Sequence, residues 1–266
     1  MSTPSSAVVT GGARGIGRAI AEFLVARDYQ VVVSDVDGAA ARRTAEEIGA
    51  VAGMAHDVRE EAAHTLVADE ALRHGRLVAW FNNAGVGDDG TLARLPSAAV
   101  ERLVAVNLLG TVWGTRAALA AFAEAGGDIV NVASLSGLGP VPGLSAYAAT
   151  KAAVVSLSMS VNAETPPGVR VHALCPDGVD TDMVAGMDPD GVAKKLVHSG
   201  GGLLRVDTVA AAAVGLLDSS RVVRTLPAWR GGLIRVSALT PSRAVAALPA
   251  LRALGDRAIR RRAARR

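Results

Sequence analysis

TGGARGIGRAI, Thr10 to Ile20, joins a short apolar run, SSAVVT (Ser5 to Thr10), to a segment of helical periodicity, RAIAEFLVARD. Gly11, Gly15 and Gly17 stand at a G-x-x-x-G-x-G spacing. Such a turn is tight, lets a pyrophosphate approach the backbone, and aims the free N–H groups and positive dipole end of a helix at it. Arg14 and Ile16 lie between these glycines and belong to the same candidate loop. Glycines in a turn are often structural only, so the meaning of this one depends on the residues downstream of it.

Downstream lies a second apolar run, YQVVVSD (Tyr29 to Asp35), then an Ala-rich helical segment, GAAARRTAEEIG. VAGMAHDV reads as a weaker third strand, RLVAWFNNAG as a fourth, GDIVNVAS as a fifth and GVRVHALCP as a sixth, with a seventh near RVVRTLP. Helical patterns separate them, notably 97–122 and 147–162. Continuous apolar strands alternating with helices specify a parallel sheet covered on both faces. Right-handed crossovers make it an α/β, doubly wound, Rossmann-type single domain of seven strands, expected over residues 1–238.

Asp35 closes the second strand 18 residues beyond Gly17, near the roughly 20 at which an acid meets an adenosine ribose. A carboxylate there accepts hydrogen bonds from the ribose hydroxyls and repels a 2′-phosphate, which favours NAD over NADP. Arg14 is the competing feature, since it would neutralise such a phosphate. Asp57 and Val58, at the end of the third strand, are placed to contact the adenine, although Asp57 also reads as an ordinary solvated carboxylate.

The chain has 266 residues, 50% of them apolar, which is ample for one large core. One cysteine, Cys175, excludes an intrachain disulfide and fits a reducing compartment. The first residues lack the charged start and apolar stretch of a signal peptide, and the cytoplasm is expected. The five histidines show no metal-ligand spacing, so no metal is expected. From Pro241 onward eight Arg face the single Asp256, so this end is net +7 and the remainder of a net +3 chain is net −4. The basic charge is confined to a tail, 239–266, and nucleic acid is not an expected partner.

SAYAATK, Ser145 to Lys151, concentrates one of two tyrosines and one of three lysines among alanines. An interval of four puts Tyr147 and Lys151 on one helix face. A tyrosine of pKa near 10 needs about 4 kcal/mol of preferential phenolate stabilisation to act as a base near neutrality. A neighbouring ammonium in a partly dry cleft is one source of it.

The chain resembles the short-chain dehydrogenase/reductase family from about Ser5 to Leu226. The motifs that carry the likeness occur in order: TGGARGIG, Asp57–Val58, NNAG from Asn82 to Gly85, VNLLG around Asn107, IVNVAS ending at Ser134, and YAATK. The resemblance implies NAD(P)-dependent hydride transfer between a secondary alcohol and a ketone. It implies that Tyr147 is the general acid/base, that Lys151 lowers its pKa and holds the nicotinamide ribose, and that Ser134 holds the substrate oxygen, with Ser136 a rival. Asn107 would keep a helix distortion and a proton-relaying water. Asn83, Ala84 and Gly85 would line the adenosine side, while Pro176, the Val179 backbone and Thr181 would meet the nicotinamide. A homotetramer or homodimer through 97–122 and 147–162 is the implied assembly. A non-catalytic dinucleotide-binding regulator, or an epimerase or dehydratase in the same cleft, are the alternatives.

One departure stands out: Asp177 occupies a position where the family has glycine. It would either favour an oxidised, cationic nicotinamide or point to solvent. The segment 183–205, rich in glycine, suits a closing lid. Leu135, Leu138, Val141, Leu144 and Val86, together with Ser136 and Met183, are candidates for a substrate pocket, which suggests a neutral, fairly hydrophobic alcohol or ketone. In the tail, Val245, Leu248, Leu251, Leu254 and Ile259 recur at roughly helical spacing, and Pro249 is expected to kink the helix or start it. Docking on the protein, a frayed end and contact with an anionic membrane remain open for this segment.

Overall fold

The computed structural model describes residues 3–122 and 126–264. Seven parallel strands form one sheet: β1 (Ser5–Thr10), β2 (Gln30–Asp35), β3 (Ala52–Ala55), β4 (Arg76–Asn82), β5 (Gly127–Val132), β6 (Val169–Pro176) and β7 (Val223–Leu226). Their order is β3-β2-β1-β4-β5-β6-β7. The chain leaves β1 in one direction and returns at β4 to build the other, so a crevice opens at the carboxyl ends between them.

Alternation along the strands explains how one sheet feeds two cores. Ala7, Val9, Val31, Val33 and Phe81 face one side, against helices α1 (Gly15–Val25), α2 (Gly38–Ile48) and a later helix, Val206–Val214. Val8, Val32, Trp80, Ile129 and Val171 face the other, against α3 (Glu61–His74) and α5 (Gly110–Phe122). Each fully buried Val, Leu or Phe contributes about 1.5–3 kcal/mol, which is why these runs carry almost no polar residues.

Local signals set several boundaries. Asp37 caps α2 by accepting from the Ala40 amide at 2.9 Å, and Gly49 ends it in the left-handed region at φ 75°. The third strand stops at Ala55 rather than at Val58, because Asp57 turns to bind the amide and guanidinium of Arg59.

The expected helix over 97–122 is present but not uniform. It runs as α4 (Ser97–Leu103), a π-helical stretch (Val104–Leu109) and then α5. The Tyr–Lys segment lies on α6 (Ser145–Glu164). The region expected as a lid carries two short helices, α7 (Asp182–Ala185) and α8 (Val192–His198), with α9 (Val206–Val214) after them. Beyond β7 come α10 (Ala228–Ala238) and α11 (Pro241–Ala263). Pro249 lies inside α11, which starts instead with Pro241 in its first turn. The helix tolerates an interior proline at a point where the adjacent Leu248 is buried, so packing offsets the missing backbone hydrogen bond.

Candidate active site

The crevice is a cavity of about 1210 Å³ at the carboxyl edge of the sheet. Gly11, Gly15, Ile16, Asp35, Asp57, Val58, Asn83, Ala84, Gly85, Ser134, Tyr147, Lys151, Pro176, Val179 and Thr181 all line it, as does Arg14. The residues that the sequence motifs single out therefore meet at one place, except that Gly17 and Asn107 are buried and do not line the cavity themselves.

The three glycines of the first turn are needed for different reasons. Gly11 and Gly15 have φ of 62° and 55°, in the left-handed region. A Cβ on Gly17 would fall 2.2 Å from the Gly11 carbonyl oxygen and 2.5 Å from Asn83 Nδ2, so any side chain would push the turn off the helix. Beside Gly15 the space is open, the nearest atom being a Thr181 methyl at 4.0 Å. An exposed helix N-terminus with an open glycine in front of it fits a pyrophosphate.

Neighbouring polar groups hold this turn. Asn83 Nδ2 donates to the Thr10 and Gly11 carbonyls, each at 3.0 Å, so its amide braces the loop. Thr10 Oγ1 accepts from the Asn83 and Ala84 amides at 3.1 Å. Asn82 is buried and joins Trp80, Thr115 and Asn131 in a hydrogen-bonded network that fastens β4 to β5 and α5. These bracing roles of Thr10 and Asn82 have no sequence signal, since a Thr at a strand end and the first Asn of a pair carry no distinguishing pattern.

Asp35, at the end of β2, lines the cavity near the glycine turn. Its carboxylate accepts from the Ala13 and Asp37 amides, each at 3.2 Å, which fixes it in place. Arg14 points to Asp182, 3.2 Å away, and both are exposed, a pairing of little energetic weight.

At the other end, Tyr147, Lys151 and Ser134 meet. Lys151 is buried and donates to the Val132 carbonyl at 2.9 Å, with its ammonium 5.8 Å from the centre of the Tyr147 ring. A Cβ on Gly85 would lie 3.3 Å from Asn107 Oδ1 and 3.5 Å from Lys151 Nζ. Asn107, in the π-helical stretch, accepts from the Val86 amide at 2.9 Å and donates to the Val86 carbonyl at 3.0 Å. The helix distortion expected around Asn107 is thus present, and its side chain pins the NNAG loop beside Lys151. Ser134 Oγ accepts from the Ser136 amide at 3.1 Å, while Ser136 Oγ is buried without a partner among the described residues.

Burial shifts both members of the Tyr147–Lys151 pair in the protein alone. Burial pushes the Tyr147 phenol up to about 12, against a smaller downward pull from the Ser134 hydroxyl. Burial also pushes Lys151 down to about 8. The ammonium lies over the ring and is engaged with the Val132 carbonyl, and burial is the larger influence on the phenol in the protein alone.

Asp177 neither faces solvent nor stands free in the cavity. Its side chain is only 10% exposed and is paired with Arg230 of α10, Oδ2 to Nη1 3.0 Å. Leu135, Ser136, Val141, Leu144 and Met183 line the cavity as expected. Its distal wall, however, comes from elements that no motif marks: Met187 and Leu196 near the lid helices, Trp229, Leu233 and Ile234 of α10, and Leu248 and Leu251 of α11. Apolar residues at helical spacing look the same whether they face a core or a cavity, so only the assembled fold assigns them.

A family model described as short chain dehydrogenase matches residues 5–191. The chain is 38% identical over 185 residues to the probable oxidoreductase EphD of Mycobacterium tuberculosis. That match covers 66% of this chain and 31% of EphD, so the chain spans about a third of that relative's length. The 3-beta-hydroxysteroid dehydrogenase of Comamonas testosteroni is 34% identical over 196 residues, covering 72% of this chain and 77% of the relative. A solved short chain dehydrogenase/reductase from Burkholderia phymatum, in complex with NAD, superimposes with a TM-score of 0.79 at 28% identity, covering 87% of this chain and 92% of that one.

Proposed function

This chain belongs to the short-chain dehydrogenase family of nicotinamide-dependent oxidoreductases, and from that premise we propose that it moves a hydride between NAD and a neutral, hydrophobic secondary alcohol or its ketone. The observation that carries the reading is the meeting of Ser134, Tyr147 and Lys151 beside an open glycine turn, in one cavity.

Gly11 to Gly17, Asp35, Asp57–Val58, Asn83 to Gly85, Lys151 and Pro176 to Thr181 would hold the dinucleotide. Bound there, it supplies or accepts the hydride and, when oxidised, adds a positive charge to the cleft. Tyr147 does the proton chemistry. In ketone reduction its phenol gives a proton to the carbonyl oxygen; in alcohol oxidation it takes that proton back. Ser134 hydrogen-bonds the same oxygen and orients it. Lys151 brings a cation to the phenol and ribose, and Asn107 holds the π-helical stretch beside it, where a water would carry protons outward.

The NAD preference rests on Asp35, whose anchored carboxylate would face a 2′-phosphate directly, while Arg14 is turned to Asp182. Assembly as a homodimer or homotetramer through 97–122 and α6 is supported by the exposed apolar side chains Val104, Leu109 and Met159 on these helices. A cytoplasmic location is supported by the single, unpaired Cys175, which fits a reducing compartment.

The test is a screen of diverse ketones and secondary alcohols with both cofactors, read by nicotinamide absorbance, with Tyr147→Phe alongside. The reading expects turnover by the wild type, and NAD binding without turnover in the variant. Substantial turnover by Tyr147→Phe would remove Tyr147 as the acid/base.

A further inference from the structure

The cavity that begins at the glycine turn continues past Tyr147 and ends on α11. At about 1210 Å³ it exceeds the roughly 300–1,000 Å³ of a site for one small ligand, so a second molecule fits beside a dinucleotide. Apolar side chains dominate this distal half, with the paired Asp177 and Arg230 beside them. Leu144, Met187 and Ala193 pack with Tyr147 on one side, and Leu233, Leu248 and Leu251 form the far wall.

We propose that α11 is part of the substrate site: Leu248 and Leu251 close the chamber and select a neutral alcohol or ketone with a bulky apolar body. The inference rests on Tyr147 and Ser134 being the reacting end of that site.

The placement of α11 is specific. Leu248 is 7% exposed, although the helix lies on the outside of the fold. A Cβ on Gly255 would fall 1.7 Å from the Lys195 carbonyl oxygen, so α11 crosses α8 in backbone contact that no residue but glycine allows. Two partly exposed ion pairs accompany this backbone contact. Asp256 meets Lys195 of α8 at 3.3 Å, and Arg262 meets Asp180 at 2.7 Å, within the loop that runs from Pro176 to Thr181. The helix is thereby tied to both the lid and the cofactor loop, with its apolar face on the chamber between them.

The neutrality of the ligand comes from the charges in the cavity. Arg230 is matched by Asp177 at 3.0 Å, and Arg102 by Asp88 at 2.5 Å. Neither cation is free to hold a carboxylate or phosphate on the substrate. Discrimination therefore comes from fit, which in an apolar pocket is worth about 10–200-fold for a change of one methylene.

The experiment compares Leu248→Trp and Leu251→Trp with the wild type in full-length protein. The readout is the ratio of kcat/KM for 2-decalone over cyclohexanone. A bulky side chain at the far wall is expected to lower this ratio at least tenfold, because only the larger ketone reaches it. An unchanged ratio, or an equal loss for both ketones, overturns the proposal. Ketone binding to the NADH complex, monitored by nicotinamide fluorescence, reads the chamber without turnover: the substitutions should weaken 2-decalone binding at least tenfold, and equal binding again overturns it. A wild type that binds 2-decalone yet reduces no ketone would reject the hydride-transfer reading while leaving the chamber intact.

Discussion

Asp177 Oδ2 lies 3.0 Å from Arg230 Nη1, with side chains only 10% and 14% exposed. Arg230 also donates to Ser199 Oγ at 2.8 Å and to the Leu196 carbonyl at 3.1 Å. A Cβ on Gly200 would fall 2.0 Å from Arg230 Nη1 and 2.6 Å from Asp177 Oδ2. The pair thus joins the end of β6, the end of α8 and the start of α10. It also explains two sequence features at once: the acid in a glycine position, and a glycine directly after Ser199.

Removing one partner of a buried pair leaves a charge unmatched and costs about 3–5 kcal/mol. Burial already pushes the Asp177 carboxyl up, against the pull of Arg230. Arg230→Met is therefore expected to lose about 3 kcal/mol in urea unfolding at neutral pH. Adding Asp177→Gly should restore most of it. An Arg230→Met protein as stable as the wild type would show that the pair holds nothing.

Asp35 is fixed by two backbone amides, so its charge cannot swing away from a 2′-phosphate. Asp35→Ala is expected to shift the kcat/KM ratio toward NADP by about tenfold or more, the equivalent of about 1.4 kcal/mol of relieved repulsion. An unchanged ratio would mean that cofactor choice lies elsewhere.

Lys151, held at about 8 by burial, makes the fold less stable than it would otherwise be. Between about 8 and its ordinary 10.5 the unfolded chain binds more protons than the folded one, so stability rises with pH across that window and is lower below it. The Tyr147 phenol, raised to about 12, acts the other way: between its ordinary 10 and about 12 the folded chain holds a proton that the unfolded one has lost, so stability falls with pH there. Lys151→Met should therefore be about 1–2 kcal/mol more stable than the wild type at neutral pH, after the lost hydrogen bond to Val132 is offset. It should also lose the rise between about pH 8 and 10, and it should lack turnover. Urea titrations at several pH values, beside an activity assay, check all three.

His56 makes the acid end of the pH range informative. Burial, with help from neighbouring His64, pushes it down to about 3. As pH falls from 6.5 toward 3 the unfolded chain gains a proton that the folded one refuses, and stability is lost. His56→Asn retains a polar partner for Ser34 Oγ, which His56 Nδ1 meets at 3.0 Å, without the titration. The variant should unfold at a lower pH than the wild type in an acid titration monitored by circular dichroism. Identical acid midpoints would place the sensitivity in another group.

The site is legible in the sequence to different depths in different places. Gly11, Gly15 and Gly17 can be read from spacing because backbone geometry allows few residues there, and Tyr147 with Lys151 because a helix brings positions four apart together. The setting of Asp177 cannot be read this way, since its partner is 53 residues away in the chain and nothing local announces Arg230. The phenol's pKa escapes for a related reason. Sequence proximity places a cation nearby, but its distance, its hydrogen bond to Val132 and the depth of burial are set by the surrounding fold.

What the sequence by itself determined is everything that depends on local periodicity and backbone permission. That includes the alternating strands and helices, the parallel sheet they must form, the turn at its switch point, and the pairing of phenol and ammonium on one helix face. Tertiary structure alone decided which apolar side chains face a cavity instead of a core, which charges are matched, and where α11 ends up. Those outcomes depend on contacts between residues far apart in the chain. Leu248 reads the same in a core helix, a frayed end or a substrate wall until α8 and Gly255 bring it to one of them.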